Sequence, residues 1–238
     1  MLTWRALLSS VWRLYRLSVK IVFHRKMLFM CGGILAYYGI LYALAVFRPG
    51  EGFSVEQALH VLVEAPGAVL AVYLTMDLVA GERDRDTLEI LFSSSSSHYG
   101  IWVVRMVSIW VVLLVALLLM GTLSYFLFAE FPFFKGALNA LVPAFFVTSL
   151  TFFFSVLCRS SNAAGMLAMG VLVLVFLTSD TLQGSPYFLF LNPFESPMGV
   201  DETIWGEQAL LNRLGFVVFG LLMVFFALRR MEYRERLL

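Results

Sequence analysis

Charge is what this sequence has least of: charged side chains make up 14% of its 238 residues, against 61% hydrophobic ones. Soluble domains carry roughly 25% charged and 45–50% apolar residues, so an aqueous fold is disfavoured and a lipid bilayer is the natural solvent. A mean hydropathy of +0.86 and 23 phenylalanines point the same way. The net charge of +1 gives no global attraction to nucleic acid, so the position of each charge matters more than the sum. Histidine is scarce too, at three residues. His24, His60 and His98 stand far apart, with no HExxH or paired His–carboxylate spacing, and no serine sits in GxSxG, which disfavours an intramembrane enzyme. Cys31 and Cys158 form no CxxC and no framework of pairs, and read as small buried thiols. No GxxxxGK[ST] occurs either. Without that backbone cradle for nucleotide phosphates, the chain does not hydrolyse ATP by itself.

What the sequence does have is long apolar runs. A bilayer core about 30 Å thick takes about 20 residues of helix, because every backbone group must be satisfied inside the segment. Six segments qualify: 27–47, 57–80, 101–128, 136–157, 163–179 and 208–228. Ala43-Leu44-Ala45 resembles a signal-peptidase site, but 26 residues precede the first run and the run is too long for a signal core, so it reads as a retained span. With the N-terminus inside, fourteen basic residues collect on the cytoplasmic side: Arg5, Arg13, Arg16, Lys20, Arg25, Lys26, Arg83, Arg85, Arg105, Arg159, Arg229, Arg230, Arg234 and Arg236. The other side keeps three, Arg48, Lys135 and Arg213. That bias and the even number of spans predict both termini in the cytoplasm.

Residues 1–26 are no span. Trp4, Leu8, Val11, Tyr15, Val19 and Val22 recur at helical spacing beside a stripe of Arg5, Ser9, Arg13, Arg16 and Lys20, as in an amphipathic helix lying in the membrane interface. The fold expected is therefore an all-α integral membrane protein: this interfacial helix, then a six-span domain over 27–238. Between the last two spans, segment 180–207 holds Tyr187 to Leu191, too short to cross and too apolar to float, among Pro186, Pro193 and Pro197. Short re-entrant or interfacial helices fit there, and a lid over an exit and simple surface packing are both open.

One block breaks the apolar pattern. In GERDRDTLEILFSSSSS, residues 81–97, six charges fall in nine positions and five serines follow. Asp86-Thr87-Leu88-Glu89 has the spacing of a capping box, which starts a helix near Thr87 with Leu88, Leu91 and Phe92 on its apolar side. The mixed charges Glu82, Arg83, Asp84, Arg85, Asp86 and Glu89 suit a docking surface, and an ordinary solvated loop is the plain alternative.

GERDRDTLEILFSSSSSHYGIWVVRM resembles the stretch ER-acid-R-G-T-L-E-L-L-L, polar turn, apolar run of permease subunits of type-2 ATP-binding-cassette (ABC) exporters. Glu82, Arg83, Asp84, Arg85, Thr87, Leu88, Glu89 and Leu91 match, and Arg105 falls where that family often has lysine. Asn192-Pro193 before the last span and the six-span layout are similar too. The chain departs from the pattern at Asp86, where the family commonly has glycine, and at Ser94–Ser97, where its turn often has proline. The resemblance implies that segment 81–98 couples the chain to a separate ATPase subunit present in two copies, which binds ATP and Mg. It also implies a second permease subunit, identical or different, and a cell membrane, bacterial inner or plasma, as location; this chain holds no cofactor. Ion- or proton-coupled carriage is a further reading. For it, Glu64 and Asp77 in the second span are the candidates, because an ionisable group at membrane depth is costly. Asp77 is placed to pair with Arg83 or Arg105, and Arg213 to snorkel outward or meet Glu202 or Glu207. A membrane scaffold that transports nothing is the third reading.

Overall fold

The computed structural model describes residues 29–47, 58–84, 98–128, 132–182, 185–194 and 200–232. The expected interfacial helix 1–26 and the residues Arg85, Asp86, Thr87 and Glu89 lie outside them. All regular elements among the described residues are helices. They are α1 (Phe29–Phe47), a π-helical turn (Ala58–Glu64) running directly into α2 (Ala65–Thr75), α3 (Ala80–Asp84), α4 (His98–Leu127), α5 (Phe133–Leu157), α6 (Ser161–Leu177), α7 (Ser179–Leu182) and α8 (Glu202–Glu232).

Five stretches are long and apolar enough to cross a membrane: Phe29–Phe47, Leu59–Arg83, Gly100–Leu127, Phe133–Leu157 and Glu202–Met231. α6 has 17 residues, about 26 Å of helix by the standard rise, and falls short of the full hydrocarbon core. Apolar residues encircle α2, α4, α5 and α6 instead of striping one side, so these helices bury against one another and against lipid. α5 is the axis of the bundle, packed against α2, α4, α6 and α8. Its buried Thr148, Ser149 and Thr151 satisfy their hydroxyls on carbonyls one turn back, at Ala144, Phe145 and Val147. α1 and α8 lie at the edge, with 6% and 17% of their apolar windows buried.

Two interruptions shape the second span. Pro66 has no N–H to give to the carbonyl of Val61 in the π register or of Leu62 in the α register. Two tyrosines of α1 supply the missing donors, Tyr37 Oη to Val61 O at 2.6 Å and Tyr38 Oη to Leu62 O at 2.6 Å. At the other end, the helix breaks over residues 76–79. There Ser155 of α5 accepts from the N–H groups of Val79 (3.1 Å) and Ala80 (2.9 Å) and lies within donating distance of Met76 O (3.1 Å). Irregular backbone inside an apolar bundle persists only with such partners.

α8 begins at Glu202, inside the segment expected to be a loop to 207. Asp201 caps it, accepting from Thr203 N at 3.1 Å and from Thr203 Oγ1 at 3.0 Å. Of the short helices expected before the last span, the described residues contain the single turn α7. Residues 185–194 form a succession of turns, because Pro186 and Pro193 remove donors and Asn192 closes an Asx turn onto Phe194 N at 3.0 Å.

Candidate functional site

Among the described residues, the ion-paired side chains gather towards the two ends of the bundle, while between them the buried hydroxyls of α5 bond their own helix. At one end, near the start of segment 81–98, Arg105 of α4 pairs with Glu82 at 2.9 Å and stacks on Trp102, its guanidinium carbon 5.2 Å from the ring centroid. Arg83 donates to the carbonyl of Cys158, in the tight connection from α5 to α6, at 2.7 Å. Ser160 caps α6 in that connection, accepting from Ala163 N at 3.3 Å. The two first charges of the block are therefore tied to α4 and to the α5–α6 turn. Asp84 ends α3. Arg105 meets Glu82 and not Asp77, which lies in the break between α2 and α3, its carbonyl accepting from Gly81 N at 3.2 Å.

The opposite end holds a buried cluster. Glu64, at the last residue of the π turn, is 2% exposed. Its Oε2 meets His60 Nδ1 at 3.2 Å, and its Oε1 accepts from Asn139 Nδ2 at 3.2 Å and faces Arg213 Nη2 at 3.8 Å. Arg213 in turn donates from Nε to Asn139 Oδ1 (2.9 Å), from Nη1 to Leu189 O (2.9 Å) and from Nη2 to Leu191 O (2.7 Å). Asn139 thus bridges the carboxylate and the guanidinium. His60 carries the cluster outward among three rings, with centroids 5.3 Å from Phe190, 5.6 Å from Phe176 and 6.5 Å from Phe188.

Arg213 neither snorkels outward nor pairs with Glu202 or Glu207. The turns of residues 185–194 leave carbonyls that no helix ladder satisfies, and a planar guanidinium with five donors fits several of them at once. Those acceptors and the buried Glu64 carboxylate draw the side chain inward. Other residues of α8 serve further carbonyls of the same segment: Asn212 Nδ2 donates to Pro186 O (2.7 Å) and Phe188 O (3.0 Å), and Trp205 Nε1 to Asn192 O (2.9 Å). The expected gate residues Asn192 and Pro193 accordingly sit in a segment fastened to α8. Neither Asn139 nor Asn212 stands out in the sequence; each is one polar residue in an apolar run, and that isolation is the only signal of a bonded partner.

Among the described residues, no group of three or more His, Cys, Asp or Glu side chains is placed to hold a metal ion. No family model matches the chain, and a search of curated proteins returns no match.

Proposed function

We propose that this chain is the transmembrane subunit of an ABC transporter, an exporter by its layout, driven by a separate ATPase subunit. The observation that carries the reading is the charged block starting at Glu82, with its resemblance to the coupling segment of type-2 ABC permeases. In support, the start of that block is wired into the helices a coupling device has to move: Glu82 into α4 through Arg105, and Arg83 into the α5–α6 turn through Cys158 O. A push on this corner is transmitted to α4, α5 and α6 together, since packed helices shift as bodies. In the full reading, α6 counts as a sixth span, both termini are cytoplasmic, and two copies or two related chains enclose the path.

The carrier reading is weakened by Arg213. A carboxylate that loads and releases protons or cations needs a vacancy beside it, and Glu64 has a resident guanidinium and an amide there.

The test is to reverse the charges at Glu82 and Arg85 and to measure co-purification with a P-loop ATPase together with its ATP turnover. Loss of association or of substrate-stimulated turnover is the expected result, because mixed-charge docking surfaces set register and partner choice. Unchanged association and turnover overturn the docking role. Uptake driven by a pH gradient without ATP, abolished by Glu64→Gln, establishes the carrier instead.

A further inference from the structure

Five carbonyls of the turn segment, those of Pro186, Phe188, Leu189, Leu191 and Asn192, accept from side chains of a single helix. Asn212 takes two, Arg213 two and Trp205 one, and all three belong to α8. Towards the π turn and α6 the same segment offers rings: Phe188 and Phe190 lie against His60, and Phe190 stacks on Phe176 with centroids 5.1 Å apart and planes 10° apart. Ring contacts of this kind slide at small cost, whereas charge-assisted hydrogen bonds in an apolar surrounding do not. Apart from the bond of Ser185 N–H to Leu182 O (2.8 Å) where it leaves α7, the segment is therefore bonded to α8 and packed through rings against the π turn and α6. Arg213 alone spans the two, because the guanidinium that holds Leu189 O and Leu191 O also meets Asn139 of α5 and Glu64 of the π turn.

We infer that residues 185–194 move as part of α8, and that Arg213 is the latch fastening this unit to Glu64 and Asn139. Opening at this end of the bundle then runs along the seam between His60 and Phe176 on one side and Phe188 and Phe190 on the other. The guanidinium leaves Glu64 while keeping its loop carbonyls. The residues on either side of the seam are compatible with this. Glu64 keeps His60 and Asn139 within hydrogen-bonding distance when Arg213 departs, so both carboxylate oxygens retain a polar neighbour. The inference does not depend on the transport reading, since it concerns only which parts are joined.

The proposal separates two substitutions that a uniformly packed loop would not. Glu64→Gln removes the charge that holds the unit to the π turn but leaves Arg213 on the loop carbonyls. Arg213→Leu removes both attachments, and Arg213→Lys keeps the charge while losing the fork that reaches Leu189 O, Leu191 O and Asn139 together. The experiment is thiol labelling in membranes of the full chain, with Cys31→Ser and Cys158→Ala as background, at two single reporters. Phe176→Cys lies on the seam, and Leu191→Cys lies within the segment itself, at a fully buried position. In Glu64→Gln, labelling at position 176 rises by about tenfold, the change expected when one buried charge-assisted contact is lost, while position 191 stays protected. In Arg213→Leu both positions become reactive, and in Arg213→Lys position 191 rises to an intermediate rate. Position 191 opening in Glu64→Gln as far as in Arg213→Leu overturns the single-unit claim. No change at position 176 in either variant overturns the latch. Solubilised protein of each variant is run on a sizing column, and Arg213→Lys keeps the comparison open if Arg213→Leu does not fold.

Discussion

Tyr38 shows how one side chain holds a helix in an unusual register. Its hydroxyl lies 2.6 Å from Leu62 O, 2.9 Å from Ser124 Oγ and 3.0 Å from Met120 O, in a site where the residue is 3% exposed. One hydrogen cannot serve all three; Leu62 O, at the shortest distance, takes the Tyr38 hydrogen, and the single Ser124 Oγ–H is shared between Tyr38 Oη and Met120 O at 2.8 Å. Tyr38→Phe removes the first of these bonds and leaves Leu62 O facing Pro66, which has no N–H to replace it. A loss of about 1–3 kcal/mol in stability is expected, the cost of an unmet buried acceptor. It is read as a lowered unfolding temperature in detergent, with Tyr37→Phe, whose bond to Val61 O is only partly buried, losing less. An equal, negligible effect of both substitutions shows that the π turn stands without its tyrosines.

Helices meet most closely where a glycine removes the side chain, and the partner atom decides what a methyl group there would do. At Gly220 of α8 an added Cβ would lie 2.7 Å from Cε1 of Phe145 on α5. That ring is itself in contact with Trp110 of α4, with centroids 4.8 Å apart, so moving it disturbs a second packed ring. At Gly165 of α6 the added atom would lie 2.9 Å from Sδ of Met76, the flexible end of an unbranched side chain. Gly220→Ala is therefore expected to destabilise by about 1–3 kcal/mol through overpacking, and Gly165→Ala by clearly less. Thermal unfolding of the two variants side by side checks the order, and a larger loss at Gly165 contradicts it. The existence of these helices was legible in the sequence, because a 20-residue apolar run in lipid has no other way to satisfy its backbone. Their ends were not. α8 starts at Glu202 because Asp201 caps it, a signal hidden among the polar residues of the expected loop, and the second span carries a π turn because Pro66 takes effect only with the hydroxyls of α1 nearby. Glu64 was legible as a costly buried charge; its partner was not, since Arg213 lies far along the chain and Glu202 and Glu207 are nearer in sequence.

Across the whole molecule, the two polar ends define an axis that any membrane topology has to respect. Glu82, Arg105, Arg83 and the α5–α6 turn share one end; Glu64, Asn139, Arg213 and residues 185–194 share the other. Among the described residues, the cations Arg83, Arg105 and Arg159 fall at the first end, and α8 finishes with Arg229 and Arg230, while Lys135 and Arg213 lie towards the starts of α5 and α8. Under the positive-inside rule, this excess of arginine predicts a cytoplasmic first end, which labelling can test. Arg159 and Tyr187 are exposed, one at each end, and serve as reporters of that orientation. In intact cells, with Cys31 and Cys158 replaced, an impermeant maleimide is expected to label Tyr187→Cys and to reach Arg159→Cys only after permeabilisation. The reverse pattern inverts the molecule and takes the charged block at Glu82 away from any cytoplasmic ATPase. Labelling of both positions from one side breaks the axis itself, because residues 159 and 187 flank α6 and its two ends would then lie on one face of the bilayer; that outcome removes α6, at 17 residues shorter than the five long apolar stretches, as a span.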